Sequence, residues 1–206
     1  YLATVDGPYV LKADGLAAGK GVVILDTLAE AQQEMRSMLG DAKFGAASSR
    51  VVVEEFLAGM EFSVFAVTDG KSAVILPEAK DYKRIGEGDQ GPNTGGMGAV
   101  SPVPLFDEAM QKQVMSRIIE PTIEGLAKDG LPYKGFLFFG LIDVGGEAMV
   151  IEYNCRMGDP ETEVVMARLD EDFLPILRDA GNGKLTNRVA RQSKQSAATV
   201  MMVSEG

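Results

Sequence analysis

The chain has 206 residues and a formal net charge of −10, with one cysteine, no histidine and no tryptophan. Without histidine it cannot form a Ser-His or Cys-His catalytic pair or a His-ligated metal site, and one cysteine excludes an internal disulfide. The acidic balance argues against nucleic-acid binding, no apolar run is long enough to span a membrane, and the cysteine content fits the reducing cytoplasm. Glycine is in excess, at 24 residues, and its clusters mark loops that need unusual backbone geometry.

The first half of the chain predicts mainly strands. Short apolar runs bounded by turn residues predict strands at 9–12, 21–25, 50–57, 61–68 and 71–76. Thr27, followed three residues later by Glu30, is a capping-box pattern that begins a helix over 27–39. Residues 77–104 are polar and rich in glycine, and are predicted to form one long loop.

The second half predicts helices around one β-hairpin. The expected elements are a helix at 107–128 kinked at Pro121, strands at 136–144 and 148–154, a helix with Asp159 as N-cap and Pro160 as its first residue, a helix at 172–180 and a strand at 197–203. Because strands occur as hairpins with helices between them, the pattern predicts an α+β fold with antiparallel sheets.

Lys12 precedes a glycine loop that contains a second lysine. Glycines let backbone N–H groups approach phosphate oxygens, and a lysine adds a positive charge. A P-loop is excluded, because three residues separate Gly15 from Gly19 and because Gly21 follows Lys20 where a hydroxyl is required. The segment is either a lysine-bearing hairpin loop over a triphosphate or a hairpin with a solvated lysine.

The strand at 51–57 ends in acidic residues. Its end can offer backbone groups to an adenine edge, with Glu61 beyond it for ribose hydroxyls. The alternative is an ordinary strand with solvated carboxylates.

Residues 80–98 combine basic side chains with glycines. The stretch 86–91 matches G-x-G-x-x-G, but no strand is predicted directly before it and no helix after it, so a dinucleotide-binding turn is excluded. Lysine, arginine, a hydroxyl and backbone N–H groups suit a phosphate monoester. A solvated loop is the alternative, although a loop of this length is often functional.

Glu152 and Asn154 lie two residues apart on a predicted strand. They should therefore share one face, while Ile151 and Tyr153 face the core. A carboxylate and an amide carbonyl are hard oxygen ligands of the kind that Mg²⁺ prefers. Arg156 follows at the strand end, where it can meet an anion.

Five stretches in this order resemble the ATP-grasp fold and, more narrowly, the phosphoribosylamine–glycine ligase family. They are KADGLAAGKGV at 12–22, VVEEFLAG at 52–59, DYKR at 81–84, GPNTGGMGA at 91–99 and IEYNCRMGDPE at 151–161. The resemblance covers nearly the whole chain. It implies an enzyme of purine biosynthesis that joins glycine to 5-phosphoribosylamine through a glycyl phosphate, giving glycinamide ribonucleotide, ADP and phosphate.

The resemblance also implies roles for the matched residues. ATP phosphates would be held by Lys12, Gly15, Gly19, Lys20 and Gly21, adenine by Glu54, Glu55, Phe56 and Leu57, and ribose by Glu61. Mg²⁺ or Mn²⁺ would be held by Glu152 and Asn154. Phosphoribosylamine and the reacting carboxylate would be held by Asp81, Lys83, Arg84, Asn93, Thr94, Gly95, Gly96, Arg156 and Asp159, with Lys83 and Arg156 catalytic.

Two positions depart from the family pattern: family members commonly have His where Tyr82 stands and Phe where Met157 stands. Many proteins of the wider superfamily also carry an acidic metal ligand on the strand before Glu152. In this chain Phe139, Gly140 and Leu141 offer no such acid, and Asp143 is only a weak candidate.

The resemblance further implies that the chain is the central part of a longer protein, with domains before Tyr1 and after Gly206. We expect a lid subdomain at 1–58, a second subdomain with the metal and substrate loops at 59–188, and the start of a further domain at 189–206. Two alternatives remain: another ATP-grasp carboxylate–amine ligase, or a fragment that binds ATP without turnover.

Overall fold

The computed structural model describes residues 1–17, 21–88, 90–202 and 204, with the side chains of residues 92 and 93 left out. The chain divides into two compact units, Tyr1–Ala58 and Gly59–Gly206. The predicted roles of Gly19 and Lys20 lie outside the described residues.

In its described residues, the first unit is a three-stranded antiparallel sheet with one α-helix. Its elements are β1 (Tyr9–Ala13), β2 (Val22–Leu25), α1 (Leu28–Gly40) and β3 (Val51–Glu54), and the strand order is β2-β1-β3. Helix α1 begins with the predicted capping box, in which Thr27 Oγ1 accepts from the Glu30 N–H at 3.3 Å and Glu30 Oε2 accepts from the Thr27 N–H at 3.2 Å. Buried Leu11 packs with Ala31 and Met38 of α1, so the helix covers one face of the sheet.

The second unit contains two sheets and four α-helices within the described residues. Its elements are β4 (Met60–Thr68), β5 (Ala73–Ile75), β6 (Lys80–Gly86), β7 (Gln90–Ser101), α2 (Glu108–Val114), α3 (Glu120–Lys128), β8 (Gly135–Val144), β9 (Glu147–Asn154), α4 (Glu161–Arg168), α5 (Phe173–Asn182), β10 (Arg188–Val189) and β11 (Ala197–Val200). The sheet orders are β10-β5-β4-β8-β9 and β11-β7-β6. All pairs are antiparallel except β10 with β5, so the α+β prediction is confirmed.

The central strand β4 supplies side chains to two hydrophobic cores. Phe62 and Val64 pack with residues of α2 and α3 on one face, whereas Phe65 and Val67 pack with residues of α4 and α5 on the other. Successive strand residues point to opposite faces, so helices on both faces bury this strand almost continuously.

The predicted loop at 77–104 is wrong, because most of it is the hairpin β6–β7. Its side chains are largely exposed at Tyr82, Arg84 and Ile85, so burial imposes no apolar alternation that a sequence pattern could reveal. Strand β6 leads directly into the G-x-G-x-x-G stretch, contrary to expectation. Strand β7 follows it rather than a helix, which still excludes a dinucleotide-binding turn.

Two helix starts test the capping predictions. Asp107 is the N-cap of α2, where its Oδ1 accepts from the Met110 N–H at 2.9 Å, as expected. A π-helical turn over Met115–Ile119 precedes Pro121, which lies in the first turn of α3. Asp159 as N-cap is wrong: Pro160 has φ −98° and ψ 19°, outside helical values, so α4 begins at Glu161.

Among the described residues, the helices are too short or too polar to cross a membrane.

Asp69 connects the β4–β5 turn to the segment that follows α5. Its carboxylate accepts from the N–H groups of Lys71 and Ser72 at 2.9 and 2.8 Å, and from that of Leu185 at 3.0 Å. Burial opposes its ionisation, but these backbone donors outweigh that cost and lower the pKa of Asp69. The charged carboxylate therefore stabilises the fold above its unfolded pKa, and this stabilisation is lost as the pH falls through the folded pKa.

We expect Asp69→Asn to lower the free energy of unfolding by about 1–3 kcal/mol near neutral pH, because an amide N–H would face the Leu185 N–H. Denaturant unfolding of both proteins at neutral pH and below the folded pKa of Asp69 measures this, and the difference should shrink in acid. Asp129→Asn, at an exposed position, is the control. A difference that does not depend on pH would contradict the assigned role of the charge.

Candidate functional site

In the first unit, Lys12 lies on the sheet face that α1 does not cover. Strand register places Lys12 opposite Val22 on one neighbour and Val52 on the other, and both valines are exposed. Lys12 Nζ lies 2.6 Å from Glu54 Oε2. This face therefore presents apolar side chains around one ion pair.

The glycines at the two ends of the predicted phosphate loop have local packing reasons. A Cβ at Gly15 would lie 2.6 Å from Ala47 Cα, and the Gly15 N–H donates to the Ala47 carbonyl at 3.1 Å. A Cβ at Gly21 would lie 2.8 Å from Ala17 Cβ. Both glycines thus let the loop pack closely against its own unit.

The first unit also contains a pocket of about 280 Å³. Its walls include Val53 and the three residues after it, Glu54, Glu55 and Phe56, together with the segment 5–9. Strand β3 stops at Glu54, so the predicted strand was three residues too long. Leu57, also predicted for the nucleotide, follows at a half-buried position.

In the second unit, one row across the sheet carries Ser63, Gly140 and Glu152. Ser63 of β4 pairs with Gly140 of β8, and Gly140 pairs with Glu152 of β9. A Cβ at Gly140 would lie 2.8 Å from Glu152 Cγ. The Glu152 side chain therefore lies over Gly140 of β8, the strand on which no acidic metal ligand was found. Only glycine at position 140 leaves room for this side chain.

Glu152 and Asn154 share a face, as predicted. Asn154 Nδ2 donates to Glu152 Oε1 at 3.5 Å. Tyr153 was expected in the core, but it is 51% exposed; its ring meets Phe139 edge-on, and its hydroxyl accepts from Thr122 Oγ1 at 3.5 Å. The β8–β9 register shifts between Gly140, which lies opposite Glu152, and Leu141, which lies opposite Val150, and this shift disturbs the simple alternation. Across the described residues, the acids and the cysteine form no group of three arranged to hold a metal ion.

Strand β6 is held against β4 by a two-bond bridge between Ser63 and Ala79, at 2.7 and 3.0 Å. This bridge brings Asp81 and Lys83 to the Glu152 row. Lys83 Nζ lies 3.3 Å from Asp81 Oδ2. Burial disfavours the Lys83 ammonium, but the carboxylates of Asp81, Glu152 and Glu61 outweigh this and raise the pKa of Lys83. Lys83 is therefore a fixed positive charge rather than a base.

The next predicted substrate residues lie on the same hairpin. Thr94 Oγ1 donates to the Lys83 carbonyl at 2.8 Å and accepts from the Gly96 N–H at 3.1 Å. Gly96 has φ +128°, and a Cβ there would lie 2.5 Å from Pro160 Cδ. The hairpin thus packs tightly against the segment before α4.

The remaining predicted residues are more exposed. Arg84 pairs through its backbone with residue 93, and Gly95 has open space around it. Arg156 lies over the Phe138 ring at 5.8 Å, and its Nη1 donates to the Met157 carbonyl at 2.8 Å. Asp159 is exposed. The structure brings together Asp81, Lys83, Glu61 and Glu152, and within the part of the chain that it describes no contact joins Arg84 to them.

Sequence reasoning missed Glu161. Its side chain is buried at 2% exposure, and its Oε1 accepts from Ser63 Oγ at 3.4 Å. Burial and the negative charge of Asp81 raise the pKa of Glu161, with Lys83 acting in the opposite direction. Its place at a helix start pointed only to a helix-dipole role, and no local signal showed that Ser63 would meet it.

The chain, with its lysine-bearing hairpin unit and a second unit in which a strand ends in Glu-x-Asn, is an ATP-grasp protein. The structure of a phosphoribosylamine–glycine ligase from Thermotoga maritima matches with a TM-score of 0.87 and 40% identity, over 97% of this chain and 50% of that one. The biotin carboxylase domain of a Hydrogenobacter thermophilus carboxylase, solved with MgADP, ADP and bicarbonate, matches with a TM-score of 0.70 over 95% of this chain and 41% of that one. At 16% identity it shows the fold alone.

The chain belongs to the phosphoribosylglycinamide synthetase family. The model of that family's ATP-grasp (A) domain matches residues 1–162. The phosphoribosylamine–glycine ligase of Ralstonia nicotianae is 49% identical over 98% of this chain and 48% of its own length, and that of Caulobacter vibrioides is 48% identical over 100% and 48%. The chain thus spans about half the length of these curated relatives.

We expect Asp81→Asn to lower the pKa of Lys83, because it removes the nearest carboxylate while the burial of the ammonium remains. NMR titration of the lysine side chains measures this change. Glu124→Gln, which removes the exposed partner of Lys128 at 3.9 Å, is the matched control and should leave Lys83 unchanged. An unaltered Lys83 pKa in Asp81→Asn would show that the acids do not set its charge.

Proposed function

We propose that this chain is the ATP-grasp portion of a ligase that joins glycine to 5-phosphoribosylamine and converts ATP to ADP and phosphate, a step of purine biosynthesis in the cytoplasm. The observation that carries the proposal is the grouping of Lys83 with Asp81, Glu61 and Glu152 on one face of the second unit. That grouping places a permanent cation beside oxygen ligands, which suits phosphoryl transfer to a carboxylate.

The nucleotide would be held mainly by the first unit. Lys12 would neutralise phosphate charge, with the loop from Gly15 to Gly21 beside it. The pocket lined by Glu54, Glu55 and Phe56 would receive the adenine, with Leu57 next to it, and Glu61 would bind the ribose.

In this proposal residues 1–58 are the lid, 59–188 the second subdomain and 189–206 the start of a further domain.

A divalent metal fits the donor set at the end of β9. The Glu152 carboxylate and the Asn154 amide are adjacent hard oxygen donors, and Mg²⁺ takes a few protein oxygens and completes its shell with water and phosphate. Bound there, the metal would neutralise negative charge on the phosphates. The lean donor set is consistent with either Mg²⁺ or Mn²⁺.

The chain's own residues would act by positioning and by charge. The glycine carboxylate attacks the γ-phosphorus of ATP and ADP leaves; the amine of phosphoribosylamine then attacks the acyl carbon, phosphate leaves and the amine loses a proton. Both nucleophiles come from substrates, so neither a histidine nor a reactive cysteine is required. Lys83 and Arg156 would stabilise the developing negative charge, while the other predicted substrate residues, Asp81, Arg84, Asn93, Thr94, Gly95, Gly96 and Asp159, would orient phosphoribosylamine.

A second candidate is ATP binding without turnover by this chain alone. The observation that favours it is length, since the relatives whose name states the activity are about twice as long. Another carboxylate–amine pair of substrates is the remaining alternative.

We expect glycine and phosphoribosylamine together to stimulate ADP release by a longer polypeptide that includes this chain, and we expect alanine to support much less. A coupled ADP-release assay measures both, with the 206-residue chain assayed in parallel. Equal turnover with alanine and glycine would contradict the assignment of glycine as the carboxylate substrate. Release by the longer polypeptide but not by the chain would instead support the second candidate.

We expect Glu152→Ala to remove the Mg²⁺-dependent part of the thermal shift produced by ATP, with the apparent Mg²⁺ affinity reduced by about tenfold or more because half of the protein donor set is lost. Glu147→Ala on the same strand removes a carboxylate whose partner is the exposed Arg117 at 3.5 Å, and should behave like the parent. A full Mg²⁺-dependent shift in Glu152→Ala would contradict the metal assignment.

A further inference from the structure

Glu161 is a buried carboxylate whose environment leaves it incompletely satisfied. The side chain is 2% exposed, and its Oε2 has no hydrogen-bond partner among the described residues. Its Oε1 has one neutral donor, the Ser63 hydroxyl, at 3.4 Å. A buried carboxyl oxygen without a donor is costly, so the fold keeps this group at the expense of stability.

The surroundings hold the Glu161 carboxyl in one place. A Cβ at Gly158 would lie 2.5 Å from Glu161 Oε2, so only glycine at this position lets the carboxyl lie where it does. Ser63 belongs to the row that contains Gly140 and Glu152, and it also forms the bridge to Ala79 that carries β6. Glu161 is therefore fixed at the edge of the cluster that contains Asp81 and Lys83.

The charges around Glu161 favour an added cation. Asp81 lies near enough to Glu161 to disfavour the ionisation of Glu161, and Lys83 interacts with the carboxyl groups of Asp81, Glu152, Glu61 and Glu161. Four carboxyl groups thus face one lysine in this part of the described structure. A small cation with N–H donors, placed between Asp81 and Glu161, would supply both a donor for the unpartnered oxygen and the missing positive charge.

We propose that Glu161, with Asp81 and the Ser63 hydroxyl, binds the ammonium group of the small α-amino acid whose carboxylate is activated beside Lys83. This inference rests on the proposed function, because an amino acid substrate presents both a carboxylate and an ammonium group. In an α-amino acid the ammonium nitrogen is only two bonds from the carboxyl carbon. Lys83 binds the substrate carboxylate, and the Glu161 carboxylate binds the substrate ammonium group. Holding the amine as ammonium also prevents it from competing with the intended nucleophile for the acyl phosphate.

The alternative is that Glu161 only stabilises the start of α4 through the helix dipole. Glu163 lies in the same first turn but is exposed, so it has the dipole role without the buried environment. The two carboxylates therefore form a matched pair, and replacing each with glutamine separates substrate recognition from helix stabilisation.

The test measures amino acid binding to the full chain by calorimetry, with Mg²⁺ and a non-hydrolysable ATP analogue present. The ligands are glycine, L-alanine and glycolate, in which a hydroxyl replaces the ammonium group. We expect Glu161→Gln to weaken glycine binding by about tenfold to a hundredfold, because a charge-assisted hydrogen bond is lost, and to leave glycolate binding within about twofold. Glu163→Gln should match the parent with every ligand.

Nucleotide binding and far-ultraviolet circular dichroism show whether each variant is folded, and Ser63→Ala gives a second, milder test by removing only the hydroxyl donor. Unchanged glycine binding in Glu161→Gln, or an equal loss for glycine and glycolate, would overturn the inference while leaving the proposed ligase intact. If the parent prefers alanine and Glu161→Gln loses alanine binding, the glycine assignment fails and the ammonium site stands. If the parent binds neither amino acid, both proposals are overturned for this chain.

Discussion

The arrangement of the second unit depends on where β4 leaves the hydrophobic core. From Phe62 to Thr68 the strand is buried by helices on both faces, but Glu61 at its start is exposed. Ser63 is the last buried polar residue before that exit. Because β8 and β9 are in register with β4, Gly140 and Glu152 reach the same boundary, and the bridge from Ser63 to Ala79 brings β6 to it as well. Polar side chains of the three strands β4, β6 and β9 therefore meet at one end of a core.

The electrostatics of that boundary explain how an acidic chain can have a site for anions. Lys83 is surrounded by carboxylates and stays protonated because of them, so its charge is already balanced before any ligand arrives. Anionic ligands then need additional cations. The proposed metal at Glu152 and the proposed substrate ammonium at Glu161 provide them, and each neutralises a carboxylate that would otherwise repel phosphate. In this view the net charge of −10 does not oppose the proposed reaction, because part of it comes from carboxylates that the proposed metal and the proposed ammonium group would neutralise.

The sequence predicted those features that burial imposes locally. Strands β1, β4, β8 and β9 and helix α1 follow apolar patterns, and the two-residue period correctly placed Glu152 and Asn154 on one face. The β6–β7 hairpin was missed because its side chains are mostly solvated, so its pairing comes from backbone hydrogen bonds that leave no apolar pattern. Glu161 was missed for a different reason. Its burial depends on Ser63, 98 residues earlier in the chain, and no local spacing reports a contact of that range.

Several clustered glycines, including Gly88 and Gly91, have the positive φ that their clustering suggested, and others in the second unit have a further structural cause. Gly140 leaves space for Glu152 and Gly158 leaves space for Glu161, while Gly96 admits Pro160. In each case the missing side chain lets a neighbouring group of the second unit lie close to backbone, and for two of them that group is a carboxylate proposed to bind a cation. Gly15 and Gly21 instead fit their own loop. The glycines of the second unit are therefore coupled to the orientation of its acids, since a methyl group at 140 or 158 would displace the carboxylate before it could meet any ligand.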